Sequence, residues 1–155
     1  MSQPIHSFLL ILVLAWSGAA QSARAGEPEP MLLTAGAQGR SMEQAVAALG
    51  QAIVNHNFTF VRQQAIDSRL VPYDREVRSV RLVYFCNFAK MDRVLRLDPR
   101  ATQLMPCRVT LVETPTGVDL IAVNPVWITQ NIPALHGECQ ELKQDYLAIL
   151  EEASL

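Results

Sequence analysis

From Ser41 to Asn57 the apolar positions Ala45, Val46, Leu49, Ala52 and Ile53 recur at helical spacing. Ser41 opens this run as an N-cap, and Gln44 three residues on completes a capping box. Asn55 or Asn57 suits the exit. The period then changes. Asn57-Phe58-Thr59-Phe60-Val61 is aromatic and β-branched and predicts a strand, while Leu70-Val71-Pro72-Tyr73-Asp74 predicts a turn-bearing connection. Val77 to Phe85 alternates, with Val77, Ser79, Arg81, Val83 and Phe85 on one side and Arg78, Val80, Leu82 and Tyr84 on the other, as in a central strand. Asn87 is placed to cap a short helix with Phe88, Met91, Val94 and Leu95 on one face, and Asp98-Pro99 stops it.

Cys107 to Glu113 and Val118 to Val123 predict two further strands, joined through Thr114-Pro115-Thr116-Gly117. Asn124-Pro125 opens a connection in which Trp127 is expected to anchor packing. From Pro133 onward Leu135, Cys139, Leu142, Tyr146 and Ile149 form the stripe of a long amphipathic helix. The order is helix, two strands, short helix, two strands, long helix. Consecutive strands joined by short connections favour antiparallel pairing. The expected fold class is α+β: one domain, with a curved antiparallel sheet and helices packed on one face.

The chain has 155 residues. Residues 1–25 read as a secretory signal peptide: Phe8 to Trp16 is apolar but too short to span a bilayer, and Ala23-Arg24-Ala25 fits a small-x-small cleavage site. An uncleaved anchor is the rival reading. Cleavage would leave 130 residues, enough for one core. Residues 26–40, beginning Gly26-Glu27-Pro28-Glu29-Pro30, read as a leader, and residues 41–153 as the domain. The expected location is periplasmic or secreted from a bacterium, with no membrane span once the signal is cleaved. Thirteen basic residues face fifteen acidic ones, and eleven of the thirteen are arginine. An acidic balance without a basic stripe excludes a nucleic-acid partner.

Several short motifs now fall into one frame. Cys86-Asn87, the helix through Ala89, Lys90 and Leu95, then Asp98-Pro99 and Leu104-Met105-Pro106-Cys107-Arg108-Val109 resemble the bacterial family catalogued as domain of unknown function 302. Glu113, Gly117 and Asn124-Pro125 fall where that family has equivalents. The resemblance covers roughly Ser41 to Ala153. It implies a TATA-binding-protein-like α+β fold with a strongly bent sheet, and an early strand for which Met31-Leu32-Leu33 is the candidate. One position departs from it: Phe88 stands where the family usually has proline.

Three cysteines carry the candidate chemistry. Cys139 falls on the apolar stripe of the last helix and reads as a small buried hydrophobe. Cys86 and Cys107 remain, each where a strand meets a turn or helix end. A disulfide between them suits an oxidising compartment and would stabilise the fold by about 3 kcal/mol. Alternatively both stay reduced. Cys86 near a helix N-terminus would then have a lowered pKa, and with Met91 and Met105 the two thiolates would suit copper(I) or a haem iron. Unpaired thiols are the third case.

His136 and His56 read as helix-end residues, and no nucleophile elbow exists for Ser-His-Asp catalysis. Asn57-Phe58-Thr59 fits a glycosylation triplet but is dismissed in a bacterial strand. Arg108 is either a sheet-surface residue or an anion contact. The leading expectation is a non-enzymatic binding or accessory module whose ligand sits near Cys86, Asn87, Met105, Cys107 and Arg108. A redox protein with Cys86 attacking and Cys107 resolving is the alternative from another class. An interaction domain with a purely structural disulfide is the blandest. Whether the sheet dimerises through an exposed edge stays open.

Overall fold

The computed structural model describes residues 28–66 and 79–155. The elements run β1 (Leu32–Gln38), α1 (Met42–Asn55), β2 (Thr59–Ala65), β3 (Val80–Cys86) and α2 (Phe88–Leu97). A 3-10 segment (Pro99–Leu104), β4 (Cys107–Thr114), β5 (Gly117–Val123) and a one-turn α3 (Pro125–Ile128) follow. A second 3-10 turn (Pro133–Leu135) then leads into α4 (His136–Ser154). The five strands form one open antiparallel sheet in the order β1-β5-β4-β3-β2. The predicted signal peptide and the Leu70–Asp74 turn lie outside the described residues.

The alternation predicted for the strands holds where it can be followed. Leu33 and Ala37 of β1, Val83 and Phe85 of β3, Cys107, Val109 and Leu111 of β4, and Val118, Leu120 and Ala122 of β5 are all buried. Their cross-strand register puts them on one face, and Leu49, Ile53, Leu142, Tyr146 and Ile149 of the two long helices close over it. Phe85 sits at the centre, with Phe58 and Tyr146 at ring-centroid distances of 5.5 and 5.4 Å. The other face of the sheet carries no helix among the described residues.

Helix α1 begins as its sequence predicts. The Ser41 hydroxyl accepts from the Gln44 N–H, and the Gln44 side chain accepts from the Ser41 N–H. It ends in a Schellman motif: the Phe58 N–H donates to the Ile53 carbonyl at 2.9 Å and the Asn57 N–H to the Val54 carbonyl at 3.0 Å. Asn57 takes the left-handed conformation, φ 62°, which asparagine tolerates better than most residues. The strand therefore starts at Thr59, two residues later than the aromatic run alone indicates. The early strand is present and longer than its candidate tripeptide, because β1 pairs with all seven residues of β5.

Two packing expectations need correction. Phe88, predicted on the buried face of α2, is 66% exposed. It is the first helical residue, and the face it shares with Met91 turns inward only from the second turn. Trp127, predicted as an anchor, is 36% exposed; Val126 beside it makes the buried contact instead. A four-residue helix has room to bury one side only.

Candidate functional site

The two cysteines are not bridged to one another. Cys86, Cys107 and Cys139 are all free thiols. Cys107 lies opposite Phe85 across the β3–β4 ladder, and Cys86, the next residue of β3, lies opposite Thr59 of β2. The cross-strand position that a bridge would need is thus filled by an aromatic ring. Nor is either thiol activated. Burial raises the pKa of Cys86, against the lowering expected from the N-terminus of α2. Cys107 is 1% exposed, and burial pushes it up to about 11, only partly offset by its contact with the Tyr146 hydroxyl. A thiol held protonated is a poor nucleophile and a poor soft ligand. Met91 is buried within the core, and no group of three or more His, Cys, Asp or Glu side chains able to hold a metal occurs among the described residues. Among the described residues, no third His, Cys, Asp or Glu joins the two thiols in a copper or haem ligand set. Cys139 is buried on the stripe of α4, as predicted.

Asn87 is also taken up by the fold. Its Oδ1 accepts from the Lys90 N–H at 2.9 Å, capping α2, and its Nδ2 donates to the Asn57 carbonyl at 3.1 Å. One side chain thus starts α2 and ties it to the exit of α1. With that cap in place, α2 forms without the proline that Phe88 replaces. Asn124, fully buried, does the same at the other corner. It caps α3 by accepting from the Val126 N–H and donates to Pro30 and Glu29 of the leader. Lys143 holds the same Glu29 carboxylate at 2.6 Å and, with Asn124, lowers its pKa.

Met105 and Arg108, the two remaining predicted residues, do come together. They line a cavity of about 400 Å³ at the end of the sheet, between its open face and residues of the helices, Tyr146 of α4 among them. Its floor is a row across three strands: Arg62 of β2, Tyr84 of β3 and Arg108 of β4, paired in register. Leu104, Met105 and Pro106 form one wall; Pro125 and Ile128 form another. The Arg62 guanidinium lies over the Tyr84 ring, 4.5 Å from its centroid, a cation–π contact that holds the charge at the rim.

A β-bulge delivers Arg62 to this row. Phe60 faces Phe85, but the next ladder pair is Arg62 with Tyr84, so Val61 is the extra residue. Regular pairing from Phe60 would set Val61 against Tyr84 and turn Arg62 to the helix face.

The cavity lining contains two arginines and no carboxylate. Arg108 makes no ion pair among the described residues, whereas Arg93, Arg96 and Arg100 do. Such a site can accept an anionic group bidentately between the guanidinium forks and seat an apolar body on Met105, Pro106 and Ile128. Arg62 and Tyr84 escaped sequence reasoning, which placed Tyr84 in a strand, ended the preceding strand at Val61 just short of Arg62, and had no means to pair the two. A charged residue directly after an aromatic, β-branched run was the one available signal.

Among curated proteins, none matches this chain. Solved structures do match it. One is the crystal structure of an uncharacterized conserved DUF302 protein from Bacillus stearothermophilus, with a TM-score of 0.71 and 16% identity, over 79% of this chain and 98% of that one. At that identity the likeness is one of fold. The family model described as "Domain of unknown function DUF302" matches residues 35–153, and the chain belongs to that family.

Proposed function

We propose that this domain is a non-enzymatic binding module for a small organic anion, working outside the cytoplasm. The observation that carries the reading is the in-register row of Arg62, Tyr84 and Arg108 flooring a cavity lined by no carboxylate. The cavity volume suits a small ligand, and its lining mixes apolar side chains with a few placed cations, as ligand sites do. The acidic group would lie between the two guanidinium groups, and the apolar part against Met105, Pro106 and Ile128. Nothing in the cavity supplies a nucleophile or an activated base, so retention rather than turnover is the chemistry the residues favour. Export is supported by the apolar Phe8–Trp16 run and the Ala23-Arg24-Ala25 site. No described helix is long and apolar enough to cross a membrane.

Titration calorimetry of the exported protein against aliphatic carboxylates, aromatic carboxylates and inorganic phosphate tests this reading and separates the anion classes. Arg108→Ala should weaken the best binder by about 10-fold or more, the loss of one charge-assisted contact being worth about 1.5–3 kcal/mol. Arg62→Ala should act in the same direction. Equal affinity in wild type and both variants, or no binding by any anion, overturns it.

A further inference from the structure

We infer that the helix-free face of the sheet is a homodimer surface, two copies packing face to face about a two-fold axis lying across the strands. Val80, Leu82, Val112 and Ile121 are half-buried side by side on that face, and no described helix covers them. The charges on the face are segregated by end. Arg62 and Arg108 stand at the end where β3 runs out, and Asp119 stands at the other, opposite Val112 and Gly36.

The Thr110–Ile121 pair lies between these ends, two residues along the ladder from Arg108 on one side and two from Asp119 on the other. A two-fold axis through it, perpendicular to the strands, brings the basic end of each copy over the acidic end of its partner. Each Asp119 then approaches an Arg108, twice over, as an isologous interface requires. An axis along the strands would set arginines against arginines instead. The charge pattern thus favours one occupant, a second copy, in one orientation.

The size of the face indicates how tight the dimer is. Five strands about 4.8 Å apart and seven residues at about 3.3 Å each give roughly 550 Å² per copy, or about 1,100 Å² in all. That is close to the lower bound for a specific interface, so the dimer should be concentration-dependent. The inference does not rest on the anion reading, though both use Arg108.

Sedimentation velocity of the processed chain, from low-micromolar to near-millimolar concentration, tests it. Wild type should shift from monomer to dimer. Asp119→Arg should weaken the dimer by about 10-fold or more, and adding Arg108→Asp to that variant should restore it, since only a paired contact recovers on charge exchange. Melting curves check that each variant is folded. Asp119→Arg should still bind the anion identified by calorimetry, which separates failure here from failure of the binding proposal. A monomer at every concentration overturns the inference. So does a dimer indifferent to Asp119→Arg but lost in Val61→Pro, which would place the contact at the exposed edge of β2.

Discussion

At the scale of single residues, the side chains that looked most reactive serve the fold. Cys107 is a buried residue in contact with Tyr146, and its chemistry follows from that place. Because burial raises the folded-state pKa from about 9 towards 11, the folded state keeps a proton that the unfolded chain releases. The stability this contributes is complete below pH 9 and is lost as pH rises through 11. Two pKa units set an upper figure of about 2–3 kcal/mol on that loss. Tyr146 adds to the alkaline loss, since burial raises its pKa as well. Denaturant midpoints measured from pH 8 to pH 11 should therefore fall more steeply for wild type than for Cys107→Ala. Parallel slopes in the two proteins would show that Cys107 ionises as it does in the unfolded chain.

At the scale of elements, the pairing of β1 with β5 depends on one glycine. Gly117 stands opposite Gln38 with φ 154°, and a Cβ there would lie 2.2 Å from the Ala37 carbonyl oxygen. Gly117→Ala should cost about 2 kcal/mol or more, combining backbone strain with overpacking. Thermal melts should show it, and an unchanged midpoint would mean that β1 can move aside freely. Gly39, also at positive φ, has open space around its missing Cβ, so alanine there meets backbone strain without a clash. Much of this level is legible in the chain itself. The Ser41–Gln44 box, the Asn87 cap, the Asp98-Pro99 stop and the stripe on α4 are local signals, and each appears where it was predicted. The bulge at Val61 is not local. It exists because β2 must both start after the Asn57 turn and meet β3 in register.

At the scale of the whole molecule, the sheet divides the protein into a packed side and an open side. Leu49, fully buried between α1 and the sheet, and Leu82, half-buried on the open face, are the same residue type in opposite settings. Leu49→Ala should cost about 2–5 kcal/mol through lost burial and the cavity left behind. Leu82→Ala should cost under about 1 kcal/mol in dilute, monomeric protein, where that side chain already meets water. Urea denaturation of both variants tests the asymmetry. Comparable losses would mean that the open face is covered in the monomer. The proposed binding and self-association both use this open side, where no helix among the described residues covers the sheet.

What the chain determined unaided was the kind and order of its elements, since helix periodicity, strand alternation, caps and proline stops act between residues close together. The α+β class follows from that order. Tertiary structure alone decided which side chains meet. It set Phe85 where a sulfur bridge would have needed Cys86, and it closed Cys107 beneath Tyr146. It also brought Arg62, twenty-two residues before Tyr84, alongside that ring and Arg108. Register between strands depends on every turn, bulge and cap at once, so no short stretch of sequence encodes it.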